Sequence, residues 1–187
     1  MTGAKFLSGW RLTVARVLAL IVVIGITLFI FAIRDQVEQL GVYGYPGIFL
    51  LSILANATVI LPAPGLAITF AMGAVFHPVG VALAAGTGAT LGELTGYLAG
   101  FSGQSIVENT EAYERFKGWM KRNAAWTLAL LAFIPNPLFD LAGVAAGALR
   151  IRLPRFLVWV WLGKTLKMLV FAYAGAYSLE WLARWFG

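Results

Sequence analysis

Apolar residues form long runs along the chain, and short polar segments separate these runs. The pattern predicts five apolar segments, at 12–33, 48–76, 79–101, 126–149 and 156–179. A helix of about 20 mainly apolar residues crosses the ~30 Å hydrocarbon core of a membrane. Segments of this length and composition therefore predict an all-α integral membrane protein.

Two of the five segments are interrupted by paired prolines. Pro62 and Pro64 divide the second segment, and Pro135 and Pro137 divide the fourth. Each half is then too short to cross the membrane, because a helix rises only about 1.5 Å per residue. Proline lacks an N–H group and restricts the residue before it. We therefore predict two helical hairpins, whose turn backbones must face protein or a wet cavity.

Basic residues stand on both sides of the second hairpin. Lys121 and Arg122 precede it, and Arg150, Arg152 and Arg155 follow it. Basic loops remain in the cytoplasm, so this segment is predicted to be re-entrant, entering and leaving on the cytoplasmic side. The three arginines are read as topology determinants that would also attract anionic headgroups.

Internal similarity suggests that each hairpin belongs to a repeat. Leu91-Gly92-Glu93 resembles Leu162-Gly163-Lys164, and Ala99-Gly100 resembles Ala174-Gly175. With a basic, cytoplasmic N-terminus, the first hairpin would enter from outside and the second from inside. This is an inverted repeat, as in many secondary transporters. The predicted organisation is a single membrane domain of residues 1–187, with an N-terminal transmembrane helix (12–33), repeat 1 (48–101), a cytoplasmic amphipathic segment (105–123) and repeat 2 (125–180), each repeat being a hairpin followed by a transmembrane helix.

Composition narrows the function. Of 187 residues, 60% are hydrophobic and 12% are charged, there is no cysteine and only one histidine, and the mean hydropathy is +0.84. The net charge of +6 indicates cytoplasmic loops and anionic lipid rather than nucleic acid. No nucleophile elbow, Walker loop, zinc motif or haem motif is present. We therefore expect a multi-pass plasma-membrane protein that is neither an enzyme nor a cofactor carrier.

A few charged residues lie within the apolar segments. Glu93 falls near the centre of the third segment, and Lys164 and Lys167 lie one helical turn apart in the last. Such charges are costly in a membrane and are candidates for binding substrate or ions. The alternative is a buried ion pair that only joins the two repeats. The sequence does not decide whether Glu93 pairs with Lys164, with Lys167 or with neither.

Polar groups near the hairpin turns are further candidates. Asp140 lies three residues beyond Pro137, where it would either complement the positive end of a short helix or receive a proton or cation. Asn56 and Asn136 would bind substrate or form hydrogen bonds between helices. Every fourth residue from Gly88 to Gly100 is glycine, which predicts close packing of this helix against a hairpin.

Several motifs together resemble a known family. They are "LPAPG", "GATLGELTGYLAG", "FIPNP" followed by Ala-Gly-Val-Ala-Ala-Gly, and Pro154-x-Phe156 before a tryptophan-rich helix. This combination is similar to the DedA superfamily, also called SNARE-associated or VTT-domain membrane proteins. The resemblance implies re-entrant hairpins in inverted repeats and lipid translocation: bacterial members move undecaprenyl phosphate or phosphatidylethanolamine, and eukaryotic relatives scramble phospholipids.

The chain also departs from that family's pattern. The resemblance implies one arginine before the Phe-x-Pro turn and another after it, but Ala132, Leu138 and Phe139 stand there. An acid expected ahead of the first hairpin turn is absent, with Asn56 or Thr58 near that place. A divergent member of the family is therefore expected.

The expected function is a flippase or scramblase. It would move phospholipid or polyprenyl phosphate between leaflets through a cavity between the hairpins, with membrane lipids that carry anionic or phosphate headgroups as partners. The alternatives are a proton- or ion-coupled exporter of small solutes and a non-transporting scaffold. The sequence does not determine the substrate, whether transport is coupled to protons or passive, or the oligomeric state, for which a homo-oligomer is one alternative.

Overall fold

The described part of the chain is helical throughout. The computed structural model describes residues 43–57, 65–103, 111–135 and 138–186, with a few residues between 10 and 21. From residue 43 onward these residues form seven helices and no strand, which confirms the all-α prediction. The helices are α1 (Tyr45–Ala57), α2 (Gly65–Val75), α3 (Pro78–Gly92), α4 (Leu94–Ser102), α5 (Glu111–Phe133), α6 (Leu138–Ala148) and α7 (Leu153–Phe186). Most of the predicted N-terminal helix (12–33) and the residues Pro62, Pro64, Asn136 and Pro137 lie outside the described residues.

The helices are interrupted where the prolines predict. α5 ends at Phe133 and α6 begins at Leu138, with Pro135 between them. The first interruption falls between α1 and α2, although its turn lies outside the described residues. Within α5, Asn123 leaves the helical conformation (φ −159°, ψ 91°), and this kink separates the described part of the amphipathic segment from the first arm of the second hairpin.

Each interrupted segment returns to the end at which it began. In the first, the rings of Tyr45 and Phe76 lie 5.6 Å apart, centroid to centroid. In the second, Lys121 and Arg152 line one open groove. Both segments are therefore hairpins in shape.

The two hairpins open at opposite ends of the molecule. Tyr45, at the open end of the first hairpin, contacts Gly80. Near the open end of the second, the Tyr97 hydroxyl donates a 2.6 Å hydrogen bond to the Ile151 carbonyl. Gly80 and Tyr97 lie about 26 Å apart along one helical stretch, at 1.5 Å per residue.

That stretch consists of α3 and α4, which only Glu93 separates. Hydrogen bonds of helical spacing continue through it, from Glu93 N to Ala89 O and from Tyr97 N to Glu93 O, both 3.1 Å. Pro78 begins α3, where its missing N–H group costs nothing. The predicted helix at 79–101 is therefore present as two nearly continuous helices.

The second arm of each hairpin packs across the molecule. α1 packs on α3 and α5 packs on α7, so that each first arm contacts the long helix that follows its own hairpin. In contrast, α2 packs on α7 and α6 packs on α4. Each second arm thus joins its hairpin to the long helix of the other half, and the two halves are interlocked.

Glycines permit these crossings. A Cβ atom on Gly100 or Gly147 would collide with the backbone carbonyl of the partner helix where α4 meets α6. The same holds for Gly73 and Gly175 where α2 meets α7. Small residues allow such approach where lipid supplies no hydrophobic drive for association. The expected packing of the Gly88–Gly100 stripe against the hairpins is confirmed.

One face of α7 is apolar and exposed between Val158 and Val170. Val158, Leu162, Leu166 and Val170 recur every four residues on one face, and all are exposed. Within the described residues, one helix, Leu153–Ser178, is long and apolar enough to cross a membrane by length and composition. An exposed apolar stripe of this kind fits contact with lipid.

A left-handed residue ends α6. Arg150 has φ +54° and is the one non-glycine residue with positive φ in the described part of the chain. Its N–H donates to Gly147 O (3.0 Å), and the N–H of Ile151 donates to Ala146 O (3.1 Å). These two bonds form a Schellman motif, whose left-handed position normally holds glycine.

The left-handed conformation at Arg150 predicts an order of stability. We expect Arg150→Gly to be more stable than Arg150→Ala by about 1 kcal/mol, because only glycine adopts this conformation without strain. Both variants lose the same charge and side chain, so each is the other's control. Denaturation of the purified variants measures the difference, and an alanine variant at least as stable as the glycine variant would refute the assignment.

Candidate functional site

A buried ion pair joins α7 to the break between α3 and α4. Lys164 Nζ lies 2.5 Å from Glu93 Oε1 and also donates a 2.8 Å hydrogen bond to Asn56 Oδ1. Asn56 Nδ2 in turn donates to Ser52 O at 2.9 Å. Only 3% of Glu93 and 4% of Lys164 is exposed. The structure therefore selects Lys164 rather than Lys167 as the direct partner of Glu93.

An aromatic ring completes the surroundings of Lys164. Its Nζ atom lies 4.7 Å from the centroid of the Phe139 ring, within range of a cation–π interaction. Phe139 is itself buried. The sequence analysis did not predict this contact; the available signal was an aromatic residue directly before Asp140, just beyond the second hairpin turn.

Two further charges lie within electrostatic range of the pair. Lys167, one turn after Lys164, is 8% exposed. Asp140, in the first turn of α6, is exposed and interacts with both lysines and with Glu93. The four side chains sum to no net charge. Because Asp140 is exposed, the cluster reaches the protein surface there.

Lys167 differs from Lys164 in its bonding. Within the described residues, it makes no hydrogen bond and no ion pair within 4.0 Å. A buried ammonium group without close partners is costly. Hydrogen bonds and ion pairs among the described residues therefore do not explain why the Lys167 ammonium group is buried with free donors.

The cluster lies at the break between α3 and α4, between the last turn of α1 and the first turn of α6. Asn56, in the last turn of α1, packs against Gly92, and Asp140 in α6 lies next to Gly96. Gly143, one turn further along α6, lies next to the carboxylate of Glu93. The charges thus stand midway along the α3–α4 stretch, between the two open ends.

Apolar cores enclose the cluster on both sides. One core surrounds Leu128, Phe139 and Phe156 in the second hairpin. The other surrounds Ile48 and Met168, between α1, α3 and α7. Ionic interactions between them are strong because water and its screening are largely excluded.

The structure brings together five of the predicted site residues and separates three others. Glu93, Asp140, Lys164, Lys167 and Asn56 form the cluster. Arg150, Arg152 and Arg155 lie instead at the open end of the second hairpin. Asn136 and the turn residues Pro62, Pro64 and Pro137 lie outside the described part of the chain, and Pro135 is exposed beside Phe133, at the end of α5. Such a cluster can hold a charged group between the last turn of α1 and the first turn of α6.

One comparison with known proteins identifies the family. The model of the VTT domain matches residues 63–177, which is more than half of the chain. The chain therefore belongs to the VTT-domain family, the DedA/SNARE-associated group, whose members are generally membrane proteins. No curated protein and no solved structure matches the chain significantly.

The buried ion pair predicts strong coupling between Glu93 and Lys164. Glu93→Gln or Lys164→Met alone should destabilise the protein by about 3–5 kcal/mol, because each leaves an uncompensated buried charge. The double variant should recover most of that loss. Denaturation of the four purified proteins in detergent measures the coupling energy.

The exposed pair of Glu114 and Lys117 is the matched control. Their charged atoms lie 2.6 Å apart on the surface of α5. Glu114→Gln with Lys117→Met should show coupling below about 1 kcal/mol, because solvent screens such pairs. Additive effects of the Glu93 and Lys164 substitutions would show that the buried pair does not form.

Proposed function

We propose that this protein moves phosphate-bearing lipids between membrane leaflets, as a flippase or scramblase. The observation that carries this proposal is the charge cluster between the last turn of α1 and the first turn of α6, in which Lys167 keeps unused donors. A headgroup phosphate is an anion that such an ammonium group would bind. Family membership is consistent with a membrane transport role.

The proposed architecture is a pair of re-entrant hairpins in inverted repeats. Supporting it, each hairpin opens where it began and the two open at opposite ends, while α2 and α6 cross to the opposite long helix. Gly100 and Gly175 make equivalent contacts 75 residues apart, and so do Gly88 and Gly163. Gly92 contacts Ile53 and Asn56 in the same pattern, and the sequence equivalence of Glu93 with Lys164 stays a prediction.

The proposed orientation follows from the basic residues. Lys121, Arg152 and Arg155 stand at the open end of the second hairpin, and basic segments remain in the cytoplasm. The second hairpin would then enter from the cytoplasm of a plasma-membrane protein and the first from outside, with a cytoplasmic N-terminus.

In the proposed mechanism the headgroup passes between the hairpin turns while the acyl chains stay in lipid. The phosphate pairs with Lys167 at the centre of the membrane. Asp140, at the exposed edge, attracts Lys167 without a direct ion pair, so the Lys167 ammonium group stays available to the incoming anion. Lys164 stays bound to Glu93 and Asn56 and positions the turns. The backbone freed at the turns faces this polar path, because it cannot face hydrocarbon.

Lys164 and Lys167 also offer a replacement for the arginines that the family pattern implies and that this chain lacks. The resemblance implies arginines around the second turn, where Ala132, Leu138 and Phe139 stand instead. Lys164 Nζ lies over the Phe139 ring, so α7 supplies a positive charge where the hairpin lacks one. We propose that Lys164 and Lys167 take over the electrostatic task of the missing arginines.

Two substitutions test the transport path. Lys167→Met should reduce lipid movement in liposomes about ten-fold or more, since a charge-assisted hydrogen bond contributes about 1.5–3 kcal/mol. The same variant should melt at or above the wild-type temperature, because it removes a buried charge without close partners. Asp140→Asn should also slow transport but leave melting unchanged, since asparagine still suits a helix start. The assay follows labelled phosphatidylglycerol, phosphatidylethanolamine and polyprenyl phosphate.

Glu114→Gln is the control, because it neutralises an exposed carboxylate on α5 and should leave lipid movement unchanged. Wild-type rates in both Lys167→Met and Asp140→Asn would contradict the proposed path. Lipid movement no faster than in protein-free liposomes, together with uptake of small cations, would favour an exporter instead.

A further inference from the structure

A second basic site lies at the open end of the second hairpin. Lys121 from α5, together with Arg152 and Arg155 around the start of α7, lines an open groove of about 870 Å³. We call it the basic groove. Among the described residues that line the groove none is acidic, and the rest of the lining is apolar: Met120, Ala124, Leu149, Ile151 and Pro154.

The three cations of the basic groove have unused donors. Within the described residues, none of them makes a hydrogen bond or an ion pair within 4.0 Å. Three positive charges around one groove repel one another, so an anion bound among them would relieve that repulsion. Arginine is suited to phosphate because its guanidinium offers several donors in one plane.

The walls of the basic groove are held in place by the fold. The hydrogen bond from Tyr97 to the Ile151 carbonyl fixes one wall. The Schellman motif at Arg150 fixes the turn just before it. The rings of Tyr97 and Phe156 also pack 5.0 Å apart. The positions of Arg152 and Arg155 therefore follow from packing at the end of α6 and do not depend on a bound ligand.

Aromatic residues place the groove at the membrane interface. Trp126 lies two residues after Ala124, and Trp159 lies one turn after Arg155. Their rings lie 6.0 Å apart, and Trp126 is 67% exposed. Tryptophan concentrates at the level of lipid headgroups. A ligand of the groove would thus have its anionic group among the arginines and apolar chains beside the tryptophans.

The basic groove is separate from the central charge cluster. Arg155 and Lys164 are both on α7, and nine residues of helix separate them by roughly 14 Å along the axis. Phe156 and Val160 are fully buried between the two places. A single headgroup cannot occupy both at once.

We propose that the basic groove binds the phosphate of an anionic phospholipid from the adjacent leaflet, with the acyl chains lying against Trp126 and Trp159. The cations and apolar walls together match an anionic headgroup joined to lipid chains, whereas a free phosphate would use only the cations. This binding requires no transport, so it stands or fails separately from the proposed function.

Titration of the full-length protein in a neutral detergent tests the proposal. The probes are phosphatidylglycerol and phosphatidylcholine, and native mass spectrometry measures the fraction of protein that retains each lipid. The wild type should retain phosphatidylglycerol more strongly. Each basic residue near anionic lipid strengthens binding about five-fold, so Arg152→Gln with Arg155→Gln should weaken phosphatidylglycerol about 25-fold and leave phosphatidylcholine unchanged. Lys121→Gln alone should weaken it about five-fold.

Arg115→Gln with Arg122→Gln is the matched control, because it removes two exposed charges of α5 that do not line the groove. It should weaken phosphatidylglycerol binding by less than about three-fold, since solvent screens exposed charges that do not contact the lipid. Equal losses in the two double variants, or equal retention of the two lipids by the wild type, would overturn the proposal. Displacement of phosphatidylglycerol by millimolar inorganic phosphate would assign the groove to free phosphate instead.

Discussion

A buried ion pair connects three parts of the fold: α7, the break between α3 and α4, and the end of α1. Each of its two charges is tolerated in the interior because the opposite charge lies beside it. Lys164 on α7 contacts Glu93 between α3 and α4, and Asn56 at the end of α1. These contacts fix the level at which the end of α1 meets the long helices. Removing one partner of a buried ion pair costs far more free energy than the intact pair contributes. The stability of the fold therefore depends on the presence of both Glu93 and Lys164.

The interlocking of the two halves follows from the need to enclose this buried ion pair in protein. The second arm of each hairpin lies against the long helix of the other half, and glycines such as Gly100 and Gly175 allow the backbones to approach closely. The charged groups around Glu93 are thereby enclosed in protein on two sides. Asp140 marks the side on which the cluster is exposed. The proposed path and the stable core thus share the same few helices.

The sequence predicted features that depend on local chemistry. The prolines predicted the interruption between Phe133 and Leu138, and the glycine stripe predicted close helix packing. Both effects are local, because proline restricts the backbone and glycine has no side chain. The choice of Lys164 over Lys167 was not predictable, since it depends on the rotation of α7 within the packed structure. The sequence predicted that Arg152 and Arg155 would attract headgroups, but not that Lys121 lines one groove with them, because a whole hairpin separates Lys121 from Arg152 in sequence. The two basic clusters were visible, but only their packing shows that they line one surface.

The central claim is that the two hairpins enter the membrane from opposite sides, and accessibility of single cysteines measures it directly. The chain contains no cysteine, so Lys121→Cys, Arg152→Cys, Tyr43→Cys and His77→Cys, all at exposed positions, report without background. An impermeant maleimide should label positions 121 and 152 only from the cytoplasmic side, and positions 43 and 77 only from the outside. Labelling of positions 121 and 152 from opposite faces would mean that this segment crosses the membrane, and would contradict the account.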